Sequence, residues 1–243
     1  MAIHLLGGGW ADDESSWTGP FVTEAARRAG GPPVIVVVLW AESVEAGRSW
    51  HEDYRADLLK LGAGEVRVVQ LAPDIPLRPN HLDGADGIFV GGGFTPGYHE
   101  AVMPAADALR AAVSAGVPYA GFSAGAMIAG ASALLGGWRL RGIPVNGEDL
   151  SEGLDEVTLA PGLGLVDFVV DVHIAQGGLL SRAVAIADAG YADMVVGVDE
   201  CTSVIADGSL EIVGPGRAWI VRRAKDGAHV ALRSANQAGS NPP

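Results

Sequence analysis

The chain has 243 residues, 49% of them hydrophobic, and carries 16 basic against 29 acidic side chains, for a net charge of −13. That length and apolar content suit one globular unit, read here as a single domain over 1–243, and exclude a disordered chain. The acidic balance opposes nucleic-acid binding, which needs clustered Lys and Arg. No apolar run is long enough to cross a bilayer, and the one cysteine, Cys201, leaves no disulfide framework or cysteine-rich zinc site.

The N-terminal "MAIHLLGGGW" lacks a basic segment and a long apolar one, so no signal peptide is read and a cytoplasmic location is expected. Its run Ile3 to Leu6 is a first strand. The "GGGWADD" that follows has neither the lysine nor the spacing of a phosphate loop. Val34 to Leu39, Val66 to Leu71, Gly87 to Val90 and Val117 to Phe122 read as further strands, several apolar throughout, as in strands covered on both faces. Between them "FVTEAARRAG", "SWHEDYRADLLKLGAG" and "HEAVMPAADALRAAVSAG" have helical character. This β-then-α order predicts an α/β fold with a doubly wound, mostly parallel sheet and helices on both faces.

After Ser132 the pattern changes. Short β-like pieces ("WRLRGIPV", "EVTLAPGLGLVDFVVDVH") precede a helix at "LLSRAVAIADAG" and a strand at "MVVGVDE". "TSVIADGSLEIVG" and "GRAWIVRR" read as C-terminal hairpin strands around Asp207-Gly208. The tail from about residue 233 is expected to be mobile.

"GFSAGA" places Ser123 between Gly121 and Gly125, after the strand "VPYAGF" and before a helix expected over "AMIAGASALL". Small residues two before and two after a serine fit a nucleophile elbow, where strand and helix pass close at a strained turn. A serine capping a helix fits the same five residues. A nucleophile needs a base, and six histidines are available. His4 sits in the first strand, His51 and His99 on polar helical stretches, and His81 in a loop. His173 ends the run "VDFVVDVH", and His229 lies in "GAHVAL". One arrangement is Ser123, Asp207 and His229, in the order of α/β-hydrolases, although His229 reads as a core or edge residue of a plain strand. The other is Ser123, His173 and an acid, Asp199 or Glu200, at the end of an apolar strand. The second is favoured, because a carboxylate at a strand end can reach a neighbouring strand's histidine.

Taken together, "GFSAGA", "GLGLVDFVVDVH" and "VVGVDECTSVI" resemble the serine peptidase family S51, which holds cyanophycinase and dipeptidase E, the cyanophycinase branch most of all. The resemblance implies a fold like that of class I glutamine amidotransferases (flavodoxin-like), with serine in the place of their cysteine. It implies Ser123 as nucleophile, His173 as base and Glu200 as the acid. "IFVGGG" resembles the family's diglycine loop, so the oxyanion hole is expected from the N–H groups of Ala124 and of Gly92 or Gly93. No cofactor or metal is implied, and a homodimer is compatible with the family. Cys201 is read as a small buried residue.

The expected substrate pocket comprises Phe94, Asp171, Val172, Gln176 and Arg182, and it departs from the cyanophycinase pattern. Val172 stands for a glutamine, Gly177 and Leu179 stand where two arginines belong, and Phe94 replaces a polar loop residue. Arg182 either takes over the arginine role or is an ordinary helix residue. A pocket without its guanidinium clamp holds carboxylates poorly. The expected substrate is therefore a small peptide or amide other than cyanophycin. Three other readings stay open: an idle ligand-binding relative, an esterase using His229, and a glutamine amidotransferase.

Overall fold

The computed structural model of the chain describes residues 2–235. The first half runs β1 (Ile3–Leu6), α1 (Gly19–Ala29), β2 (Val34–Trp40), α2 (Val44–Gly47), α3 (His51–Lys60), β3 (Glu65–Leu71), β4 (Gly87–Val90), α4 (Thr95–Val102), α5 (Ala106–Ser114) and β5 (Tyr119–Phe122). Pro20 opens α1, Arg27 and Arg28 sit in its last turn, and Gly30 stops it by returning its N–H to the Ala26 carbonyl. β2 carries four successive fully buried β-branched residues, Ile35 to Val38, as a central strand covered on both faces must. The stretch from His99 to Gly116, expected as one helix, is two. Pro104, in the 3₁₀ turn Met103–Ala105, has no N–H to give and breaks the ladder.

The second half contains α6 (Ala124–Met127), β6 (Ser132–Gly136), β7 (Arg139–Leu140), β8 (Ile143–Pro144), β9 (Thr158–Pro161), β10 (Val169–Val172), α7 (Ile174–Gly177) and α8 (Leu180–Asp188). It ends with β11 (Met194–Val198), β12 (Ser203–Ala206), β13 (Leu210–Val213), β14 (Arg217–Ala224) and β15 (Gly227–Ser234). The helix expected over "AMIAGASALL" lasts one turn, and its second half is strand β6, paired antiparallel with β9. The Ala131 N–H donates to the Val166 carbonyl at 2.8 Å, and the Phe168 carbonyl oxygen occupies the space beside Gly130 where a Cβ would project. Long-range pairing overrides the helix propensity of this Ala-rich run.

The main sheet has seven strands in the order β13-β12-β1-β5-β4-β2-β3. β1, β5, β4, β2 and β3 are parallel, while β12 and β13 are antiparallel additions at one edge. β12 and β13 form the hairpin expected at Asp207-Gly208. β14 leaves that hairpin for a second sheet, β10-β11-β14-β15, where it lies antiparallel to both its neighbours. Arg233 and Ser234, expected in the mobile tail, pair with Ala218 and Arg217, and the tail beyond 235 lies outside the described residues. One apolar cluster joins the two sheets, with Val36, Val38 and Val90 from the first and Val169, Val196 and Ile220 from the second. Among the described residues no helix is long and apolar enough to cross a membrane. The carboxyl ends of β1, β5, β10 and β11 converge, at the kind of crevice where open α/β sheets hold ligands.

Candidate active site

Ser123 follows β5 with φ 52° and ψ −109°, a backbone region that a side chain occupies only under strain. The turn closes because its flanking glycines have no Cβ. A methyl on Gly121 would lie 2.4 Å from the Gly125 carbonyl oxygen, and one on Gly125 would lie 2.2 Å from that of Val90. The Ser123 carbonyl accepts the N–H groups of Ala126 and Met127, so the serine also opens α6. Its hydroxyl makes no capping bond and instead meets His173 Nε2 at 2.9 Å.

His173 leaves β10 in the left-handed region, φ 53°, which swings the ring back over the sheet end. Its Nδ1 lies 2.7 Å from Glu200 Oε1. Three consecutive carbonyls at the end of β1 hold the arms of this array. Leu6 O accepts from the Ser123 N–H at 2.9 Å, Gly7 O from His173 at 3.2 Å, and Gly8 O from Cys201, next to Glu200, at 2.8 Å. The Gln176 side-chain oxygen accepts the Glu200 N–H. Asp199, the other candidate acid, is committed to structure: its carboxylate accepts from the N–H groups of Ala175 and Arg217 and from the Trp219 indole.

The diglycine loop lies beside the serine. The Gly92 N–H is taken by the Tyr54 hydroxyl at 3.1 Å, whereas among the described residues the N–H groups of Gly93 and Ala124 meet no protein acceptor. Tyr98 donates its hydroxyl to the Gly92 carbonyl at 3.0 Å. Because a trans peptide points its C=O and N–H in opposite directions, that bond also fixes where the Gly93 N–H points. Burial drives both tyrosine hydroxyls well above their ordinary pKa, so they stay protonated.

The other histidines are elsewhere. His4 is buried against Glu24, His51 meets Gln70, His99 meets the Pro161 carbonyl, and His81 accepts from the Arg78 N–H. His229 sits on edge strand β15 with its side chain 77% exposed, beside Asp226 rather than Ser123. Asp207 lies in the β12–β13 turn. Cys201, expected buried, is half-buried, with its Sγ 3.9 Å from the Trp10 carbonyl oxygen.

Of the five expected pocket residues, Val172 and Arg182 line the cavity of about 490 Å³ that opens beside Ser123. Asp171 lies beneath it, fully buried, and binds Arg182 bidentately with contacts of 2.6 and 3.0 Å. Arg182 also donates to the carbonyls of Gly137 and Leu150, so it is a buried structural residue of α8 and not a free clamp. Phe94 and Gln176 fall outside the lining; Phe94 packs on Trp40 with ring centroids 5.5 Å apart. Sequence reasoning missed most of the wall: Trp10, Trp40, Trp50, Tyr54 and Tyr98, with one carboxylate, Glu152. Burial raises the Glu152 pKa above the ordinary value, partly offset by hydrogen bonds from Thr95. It also missed Gly7 to Gly9. Gly8 lies so close under the imidazole that a Cβ there would meet His173 Cε1 at 2.2 Å, and one on Gly9 would meet the Glu200 side chain at 2.8 Å.

The chain is similar over 97% of its length to a peptidase from an acI-B1 actinobacterium, at 17% identity and a TM-score of 0.71, covering 95% of that chain. A Listeria monocytogenes EGD-e protein whose description names peptidase E is also 17% identical, with a TM-score of 0.51 and coverage of 97% and 98%. At this identity the likeness establishes the fold alone. No curated protein matches the chain. The sequence profile of Peptidase family S51 matches residues 33–210, well over half the chain, and the protein therefore belongs to that family.

Proposed function

We propose that the protein is a serine hydrolase acting on small peptides or amides. Ser123 attacks the scissile carbonyl, and His173 Nε2 takes the serine proton and later returns it to the leaving amine. Glu200 accepts the Nδ1–H bond and so holds the tautomer and steadies the imidazolium. The observation that carries this reading is the unbroken chain from Ser123 Oγ to His173 Nε2 at 2.9 Å and from Nδ1 to Glu200 Oε1 at 2.7 Å. The strained serine backbone supports it, since strain of this kind persists where surrounding structure holds it for a purpose. For the tetrahedral oxyanion we assign the N–H groups of Gly93 and Ala124, the two on this face without a protein acceptor among the described residues. We read 1–243 as one domain with one site, and the substrate as something other than cyanophycin.

A fluorophosphonate probe tests the assignment. Wild-type protein and His229→Ala should label, while Ser123→Ala and His173→Ala should not. Labelling that survives Ser123→Ala, or that is lost in His229→Ala, refutes it; absence of labelling in the wild type favours an idle ligand-binding relative. Rapid release of β-Asp-Arg dipeptide from cyanophycin would overturn the statement about substrate.

A further inference from the structure

The cavity beside Ser123 has walls and charges that point to one class of ligand. Aromatic side chains dominate the walls, among them Trp10, Trp40, Trp50 and Tyr54. Ring faces attract cations through their quadrupoles, Trp most strongly, and offer nothing comparable to an anion. The basic side chains in the lining are His173, which faces Glu200, and Arg182. Arg182 is 2% exposed and its charge is met by Asp171 at 2.6 Å, with further donors bonded to two backbone carbonyls. It brings no uncompensated positive charge to a ligand.

Glu152 is the opposite case. It lines the same cavity, and the Thr95 hydroxyl donates to its Oε1 at 3.0 Å. Among the described residues no Lys, Arg or His reaches ion-pair distance of it. A half-buried carboxylate without a cation is costly in an apolar site. An ammonium group entering between the rings and Glu152 would pair at close range with a carboxylate that otherwise feels Arg182 only from beyond ion-pair distance.

We infer that this cavity takes an ammonium-bearing group on an apolar or aromatic stem and turns carboxylates away. That the group belongs to a substrate cleaved in this cavity rests on the reading of Ser123 as nucleophile; the binding preference does not.

The test is calorimetric binding to Ser123→Ala at neutral pH, using three near-isosteres: phenethylamine, 2-phenylethanol and 3-phenylpropionate. The amine should bind about tenfold tighter than the carboxylate and several-fold tighter than the alcohol. In Glu152→Gln, added to the same background, amine and alcohol should come within about twofold of each other. Phenylalanine amide and Nα-acetyl-lysine amide then distinguish an α-amino group from a side-chain ammonium, and tight binding of either supports the inference. It is overturned if the carboxylate binds as tightly as the amine, if neither amide binds, or if the amine's advantage survives loss of the Glu152 charge. The comparison in the single variant decides by itself should Glu152→Gln melt early. Because no turnover is read, failure here is separable from failure of the nucleophile assignment, which fluorophosphonate labelling reports.

Discussion

Replacing Tyr98 by phenylalanine removes one oxygen atom and leaves the ring in the cavity wall. That oxygen donates to the Gly92 carbonyl at 3.0 Å, in a residue only 1% exposed. The same peptide unit carries the Gly93 N–H assigned to the oxyanion, so the hydroxyl fixes the aim of a group it never touches. It also polarises the amide, which strengthens the N–H as a donor. On that assignment Tyr98 is a positioning residue. Loss of the bond costs about 1 kcal/mol, rising towards about 3 kcal/mol if the buried carbonyl stays unpaired. Removing an oxyanion donor outright costs about 3–4 kcal/mol of transition-state stabilisation; misaiming one should cost about 1–2 kcal/mol, a 5- to 30-fold fall in kcat. KM should change little, because the donor meets charge that exists only in the transition state. Steady-state kinetics on an aminoacyl ester, with thermal melting in parallel, measure both effects. A Tm that falls while kcat stays within about twofold would confine the hydroxyl to stability and refute the reasoning.

Gly8→Ala places a methyl within 2.2 Å of His173 Cε1 at a residue with φ 87°; the imidazole must move, and ester hydrolysis should fall about a hundredfold while the protein still folds. Arg182→Met leaves the Asp171 carboxylate buried and unpaired, and urea denaturation should show a loss of about 3–5 kcal/mol, most of it recovered in Asp171→Leu/Arg182→Met. A double variant no more stable than the single one would count against that pair. Glu14 is held up to about 7 by burial. The fold therefore prefers its protonated form, and stability should decline as pH rises from the ordinary carboxylate range through about 7, by no more than about 2 kcal/mol after solvent screening. Glu14→Gln should flatten the stability profile across that window.

The serine, histidine and glutamate could be read in the sequence because each sits at a strand end inside a patterned run. The elbow carries its own glycines, and apolar runs announce His173 and Glu200. The parallel sheet was legible for the same reason: strands such as β2 are apolar without interruption. What escaped notice depends on partners far along the chain. "SALLG" forms a strand only because β9, some two dozen residues on, is there to pair with it. Gly7 to Gly9 look like a loop until residues 173 and 200 fold over them. Glu152 lies in a segment with no periodicity to mark it. Arg182 shows how a residue can line a cavity and still be closed to ligand, because its partner Asp171 belongs to a different element.

The tripeptide Leu6 to Gly8 gives the proposed triad a property that its side-chain distances do not express. Each arm hangs from an adjacent carbonyl of one short backbone segment, so a displacement of that segment carries serine, imidazole and carboxylate along together. Such common-mode motion leaves the 2.9 and 2.7 Å separations intact. Among side chains on the surrounding helices, Gln176 touches the array directly, through the Glu200 N–H. The amides of Ser123, His173 and Cys201, scattered over nearly 80 positions of sequence, should therefore exchange with solvent through one shared local opening, at a common rate in hydrogen-exchange measurements.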